Sequence, residues 1–329
     1  MYVEGRHLYT AAGDRVILRG VNAGIGWTDH PEREEHIRQI AASGANCLRI
    51  VWNPHRPNAV PGQNSRTPAQ LDDVIGWTIE NGMIPMVMLA DAAGEPLRGS
   101  FNGELVKYWT QGEVPNILRK HERWLIINIL NEGGRPDSSP QGPESDVDFV
   151  GFYAEEIGRL RGAGINVPLV IDAPNFGQNY QLIFNNWSTL RDSDPQRSVM
   201  FSVHTYFGGT FQNRQNIYDT IFDRVVEDNI PLLFGEGPTP TNTAPPGQGT
   251  CDASPWEHGL IGMHARDIGW LAWSWGVIRN GDCGQGGVNQ FDLTKPGAQN
   301  GDWNTTYARQ IMVDHNFSLR NTAVRPPGL

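Results

Sequence analysis

Two glutamates, Glu132 and Glu236, each close an apolar, β-prone run and are followed by Gly and Pro. Glu132 ends the run Trp124-Leu-Ile-Ile-Asn-Ile-Leu-Asn-Glu132, and Glu236 ends Ile230-Pro-Leu-Leu-Phe-Gly-Glu236. A carboxylate in that position stands where a buried strand emerges into a loop. Leaving one there without a function would be costly, because a charge at the end of an apolar run is expensive to desolvate. Two such groups brought together by a barrel supply what hydrolysis of a glycosidic bond requires, one carboxylic acid and one carboxylate. Other chemistry-bearing residues collect at the same kind of place. In chain order the strand ends carry Asn22, Arg49 with Trp52, Asp91, Asn131 with Glu132, His204 with Tyr206, Glu236, and Trp273 with Trp275. The opposite ends of the runs carry no comparable polar set, and that asymmetry points to an enzyme.

These residues need elements to position them. Strands are predicted near 15–22, 46–52, 84–91, 124–132, 168–174, 199–206, 231–236 and 269–275. Helices are predicted near 31–43, 68–81, 103–120, 146–163, 178–190, 213–228, 255–267 and 304–314. In the fourth helix Val147, Val150, Tyr153, Ala154, Ile157 and Leu160 recur at spacings of three and four, and Gly162 and Gly164 stop it. Eight such alternations with nearly continuous apolar strands predict an α/β fold, a single-domain (β/α)8 TIM barrel. An open doubly wound sheet would want a Gly-rich phosphate turn after the first strand. Gly20-Val-Asn-Ala-Gly-Ile-Gly26 does not have that spacing. The barrel is expected to span residues 1–317, with 318–329 a loose C-terminal tail.

A chain of 329 residues with net charge -10 is poorly suited to nucleic acid or an anionic membrane, and no run is long enough to span a bilayer. A neutral ligand fits better, and the 11 Trp residues include possible sugar-stacking faces as well as core. A metal enzyme would want converging His and Asp at the strand ends. Only His204 and Asp91 qualify, so no metal is expected; no nucleotide or flavin motif implies another cofactor. Cys47 lies in an apolar run and reads as a buried thiol. Cys251 and Cys283 lie in Gly-rich, loop-like segments and are expected to pair, tying together the loops 238–254 and 276–293 over the catalytic face. The start of the chain lacks the pattern of a secretory signal, so a mature or trimmed form is expected.

With Arg49 in Leu-Arg-Ile-Val, the Asn131-Glu132 pair, His204-Thr-Tyr206, Glu236 after Phe-Gly, and Trp273 in Ala-Trp-Ser-Trp, the chain resembles glycoside hydrolase family 5. The resemblance implies that Glu132 is the acid/base and Glu236 the nucleophile of a retaining enzyme, with carboxyls about 5–5.5 Å apart. It implies substrate-binding or supporting roles for Arg49, Asn131, His204, Tyr206 and Trp273, and less directly for Asp91, Trp52 and Trp275, with Trp27 and Trp109 as further subsite candidates. Each has a structural alternative: a core ion pair for Arg49, a satisfied core histidine for His204, plain packing for the aromatics. Arg19-Gly-Val-Asn22, Asp91-Ala-Ala-Gly94 and Gly269-Trp-Leu-Ala-Trp-Ser-Trp275 look most like the bacterial endo-β-1,4-mannanase branch. That implies a secreted, monomeric enzyme cutting mannan, glucomannan or galactomannan. Ala90, Gly133-Gly134 and Gly237-Pro238 depart from the pattern beside the substrate, so an endo-β-1,4-glucanase remains the alternative. A non-catalytic sugar-binding barrel would not need both glutamates.

Overall fold

The fold is a computed structural model of the chain, and it describes residues 1–26, 33–54, 66–90, 92–241, 251–276, 284–285, 288–295 and 301–329. Three short strands, β1 (Tyr2–Glu4), β2 (His7–Tyr9) and β3 (Arg15–Val16), make an antiparallel sheet at the N-terminus. Eight parallel strands follow: β4 (Arg19–Gly26), β5 (Cys47–Trp52), β6 (Ile84–Leu89), β7 (Ile126–Asn128), β8 (Leu169–Asp172), β9 (Val199–His204), β10 (Leu232–Glu236) and β11 (Gly269–Trp275). They pair in chain order, and β11 pairs back onto β4, closing the barrel. The helices α1 (Arg33–Ala42), α2 (Pro68–Glu80), α3 (Ser100–Leu105), α4 (Val114–Lys120), α5 (Asp146–Gly162), α6 (Tyr180–Ser193), α7 (Phe211–Glu227) and α8 (Trp256–Ala265) lie between strands along the chain; the short α9 (Thr306–Arg309) and α10 (Leu319–Thr322) follow the barrel.

Strands such as Ile126-Ile127 and Leu169-Val-Ile171 are apolar on both faces because one face meets helices and the other fills the barrel. The main core lies between strands and helices. A second cluster (Leu8, Val16, Leu18, Met86, Trp124, Ile126, Leu233, Leu271) is capped by the N-terminal sheet, which seals the bottom. A third, smaller cluster joins Val51, Met88, Ala90, Tyr206, Trp273 and Phe291 near the C-terminal strand ends.

Three expectations change. The first predicted strand, 15–22, is two elements: Arg15–Val16 pairs with β2, and the barrel strand starts only at Arg19. The predicted helix 103–120 breaks into α3, a 3-10 turn at Val106–Thr110, and α4, because Gly112 takes φ +54 and Pro115 starts a new helix. Ser318–Leu329, expected to be loose, is docked. Leu319 is fully buried, Asn46 Nδ2 donates to Val324 O at 2.9 Å, and Arg325 Nη2 donates to Ala41 O at 2.6 Å. Apolar periodicity is too short there to signal packing. Cys47 is a free, buried thiol, and burial pushes its ionisation up. Cys251 is disulfide-bonded, while Cys283 lies outside the described residues. Among the described residues no helix is long and apolar enough to cross a membrane.

Candidate active site

Arg49 organises the upper end of the barrel. Its guanidinium is fully buried and donates to five acceptor residues on four strands or their extensions. Nη1 reaches Asn22 Oδ1 and Glu236 Oε1, both at 2.9 Å. Nη2 reaches Asn128 Oδ1 at 2.7 Å, Asn131 Oδ1 at 2.8 Å and Asp172 Oδ2 at 2.9 Å, and Nε also donates to Asn128. A buried charge on this scale is tolerable only when paired and hydrogen-bonded, and here two carboxylates and three amide oxygens do it. Asn22 in turn donates to Gly235 O at 2.9 Å, which anchors the backbone just before Glu236.

The two glutamates converge. Glu236 accepts from Arg49 on Oε1 and from the Tyr206 hydroxyl on Oε2 at 2.7 Å. Glu132 lies beyond the end of β7, where Asn131 N still donates to Leu89 O at 2.9 Å. It then takes a left-handed conformation, φ +51, that turns the chain out of the barrel. Its N–H is held by Asp172 Oδ2 at 3.2 Å, and its Oε1 lies 2.5 Å from His204 Nδ1. Ligand-type atoms of Glu132, His204 and Glu236 all fall within 4.8 Å of one another. One oxygen of each carboxyl therefore lies within 4.8 Å of the other, a close approach of the kind that double displacement uses.

Burial and close charges shift the groups around Glu236. Burial pushes the Glu236 carboxyl above its ordinary range; His204 and Arg49 pull it down, and Glu132 pushes it further up. Burial would lower His204, but the surrounding carboxylates Glu236, Asp172 and Glu132 outweigh it and raise the imidazole. Burial, reinforced by Glu236, also keeps the Tyr206 hydroxyl protonated as a donor. The trio Glu132, His204 and Glu236 has the spacing of a three-donor cation site. A cation there would sit against the Arg49 guanidinium, which already neutralises Glu236, so the donor set suits proton chemistry better.

Not every expected residue reaches this cavity. Trp273 sits beside Tyr206 and Phe291 at the barrel mouth. Trp52 is fully buried in the main core with Nε1 bonded to Tyr108 Oη at 2.9 Å, so its faces are occupied and it offers no sugar platform. Trp275 is likewise core, edge-on to Trp303. Trp109 is core as well, its Nε1 donating to Ile129 O at 3.0 Å. Asp91 and Trp27 lie outside the described residues. Conversely, Asp172 and Asn128 went unremarked in the sequence. Asp172 closes Leu169-Val-Ile-Asp172 just as the glutamates close their runs, but reading that strand as 168–174 hid its terminal carboxylate.

The family described as Cellulase (glycosyl hydrolase family 5) matches residues 9–278. A mannan endo-1,4-beta-mannosidase from Cellvibrio japonicus (strain Ueda107) is 32% identical over 279 residues, covering 83% of this chain. The match spans 58% of that relative's own length. Another, from Salipaludibacillus agaradhaerens, is 32% identical over 280 residues, 83% of this chain and 80% of the relative. Among solved structures, a beta-mannanase from Thermomonospora fusca in complex with mannohexaose superposes with a TM-score of 0.77 at 24% identity, covering 98% of this chain and 97% of that one. That likeness is one of fold.

Proposed function

The chain belongs to glycosyl hydrolase family 5, and from that premise we propose that it is a retaining, endo-acting hydrolase of β-1,4-linked mannan, glucomannan or galactomannan. The observation that carries the reading is the convergence of Glu132 and Glu236 in different hydrogen-bonding environments. Glu236, with a cation on one oxygen and a phenol on the other, is the carboxylate that attacks the anomeric carbon. Glu132, held by His204 at the turn beyond β7, acts as the acid that gives a proton to the departing glycosidic oxygen. A glycosyl–Glu236 ester forms. Water, deprotonated by the now ionised Glu132, then attacks the same carbon, releases Glu236 and restores the Glu132 proton.

The remaining residues serve these two. Arg49 and Tyr206 stabilise the Glu236 charge. Asn131, its Oδ1 fixed by Arg49, offers its amide N–H to the sugar 2-hydroxyl, a contact that strengthens in an oxocarbenium-like transition state. His204 orients Glu132, and Trp273 presents an apolar face to the ring being cleaved. We place this machinery in residues 1–317, in a secreted monomer that needs no cofactor, with Cys251 paired to Cys283. Mannan is favoured because the curated relatives named above are mannan endo-1,4-beta-mannosidases; the cellulase description of the family keeps β-1,4-glucan as the second reading. Incubation with mannan, carboxymethylcellulose, xylan and mixed-linkage glucan, followed by product sizing, tests both. Short mannooligosaccharides from mannan alone are expected; cleavage of the glucans with mannan untouched would overturn the sugar assignment.

A further inference from the structure

We propose that Phe176, presented by a left-handed turn at Asn175-Phe176-Gly177, is the apolar platform for the sugar ring on the leaving-group side of the scissile bond. The proposal rests on the reading of Glu132 as acid/base. These three consecutive residues have φ +56, +55 and +75. Glycine adopts that region freely and asparagine tolerates it, but a bulky aromatic residue there is an outlier that its surroundings must enforce. Phe176 is nonetheless 42% exposed, so its strained backbone is not repaid by burying the ring.

Each residue of the turn is tied to a different support of Glu132. Asn175 exchanges two hydrogen bonds with Asp137, in the loop that follows Glu132: Asp137 N donates to its Oδ1 at 3.2 Å, and its Nδ2 donates to Asp137 Oδ2 at 2.9 Å. The Phe176 ring lies on Gly94, where an added Cβ would stand 2.9 Å from Cε1, and Gly94 N donates to the carbonyl of Glu132 itself at 3.1 Å. Gly177 accepts from His204 N at 2.8 Å, and a Cβ on it would collide with the imidazole at 2.3 Å. One edge of the ring is thereby fixed against the backbone that carries the acid/base. Much of the rest stays open to solvent on the face where the C-terminal strand ends meet.

A general acid lies beside the oxygen it protonates, so an aromatic group fixed to the acid's own backbone is on the departing sugar's side. The apolar C–H face of a pyranose matches a flat, rigid ring, and such a contact carries no demand for a particular hydroxyl pattern.

The test compares Phe176→Leu, which keeps an apolar contact on Gly94 but loses the flat face, with Phe176→Tyr, which keeps both. Two substrates are used: mannopentaose, which needs sugars on the leaving side, and β-mannobiosyl fluoride, whose leaving group is a single atom. Phe176→Leu is expected to lower kcat/KM on mannopentaose about tenfold, and to leave the fluoride within about twofold of the unaltered protein. Phe176→Tyr should resemble the unaltered protein on both. Equal losses on the two substrates would mean a purely structural role, and no loss on either would mean no subsite; either result overturns the proposal. Glu132→Ala run alongside separates the underlying assumption. It should lose mannopentaose hydrolysis while keeping fluoride turnover in the first step, and failure of that pattern would count against Glu132 rather than Phe176.

Discussion

His204 Nδ1 lies 2.5 Å from Glu132 Oε1, closer than to any other carboxylate in the site. The same nitrogen is 3.7 Å from Glu236 Oε1, and Nε2 is 3.7 Å from Asp172 Oδ2. One buried imidazole therefore stands among three carboxyls, and it titrates together with them rather than alone.

That arrangement fixes a pH dependence of stability. His204 is raised above its ordinary value of 6.5 because the carboxylates outweigh its burial. A raised imidazole contributes stability that is fully present below the unfolded value and is lost as pH climbs through the folded one. The raised Glu236 carboxyl acts in the same sense. The thermal midpoint is thus expected to fall as pH rises above 6.5, and His204→Asn should flatten the dependence and lower the midpoint most at acid pH. Calorimetry across that range checks it; a midpoint that climbs steadily with pH in the unaltered protein would contradict the assignment.

The two glutamates are expected to fail differently. Glu236→Ala should abolish nearly all hydrolysis while polysaccharide binding persists. Glu132→Ala should lower turnover of substrates with sugar leaving groups by about 10²–10⁴-fold but spare the first step for activated aryl glycosides. Added azide should then rescue Glu132→Ala as a β-glycosyl azide and Glu236→Ala as the α-anomer, because only the former retains the covalent intermediate. Nuclear magnetic resonance of the product anomer reads the difference directly, and identical anomers would remove the distinction between nucleophile and acid.

Arg49 should not tolerate lysine. A compact ammonium cannot reach Asn22, Asn128, Asn131, Asp172 and Glu236 together, whereas the guanidinium fork does. Arg49→Met leaves Asp172 and Glu236 buried without their cation and is expected to cost about 3–5 kcal/mol, read as a lowered urea midpoint. Arg49→Lys should fall between, with activity lost more completely than stability.

The convergence of Glu132 and Glu236 was legible because a charged residue closing an apolar run is an energetic anomaly, and both residues show it. The eight alternations were legible for a similar reason: near-continuous apolar strands make sense only when covered on both sides. Asp172 carried the same signal but was hidden by a strand read two residues too long. Trp52 shows the opposite error. Its place at a strand end resembles that of a platform, but nothing in the local sequence reveals that Tyr108, 56 residues later, closes over its indole N–H. Docking of the tail onto Asn46 and Ala41 is equally non-local, since it depends on partners 278 or more residues away.

Thiol counting addresses the loop staple. One alkylatable cysteine, Cys47, is expected after unfolding without reductant, and three with it. Substituting Ser for Cys251 should lower stability by about 2–4 kcal/mol. Three free thiols in the unreduced protein would remove the bridge.

Trp52 and Trp273 provide a paired comparison of packing with binding. Trp52 Nε1 is the hydrogen-bond partner of the Tyr108 hydroxyl, and burial holds that phenol protonated, pushed up to about 12. Trp52→Phe keeps most of the apolar volume but leaves the hydroxyl buried and unpaired, a cost of about 1–3 kcal/mol that should appear in the melting midpoint alone. Trp273 lies instead with Tyr206, the donor to Glu236, in the cluster at the barrel mouth. Trp273→Ala is expected to raise KM and lower kcat on mannan, because Trp273 is the proposed platform for the ring being cleaved. A Trp52→Phe protein with impaired KM at unchanged stability would reverse the two roles, placing the sugar against the residue that the fold encloses.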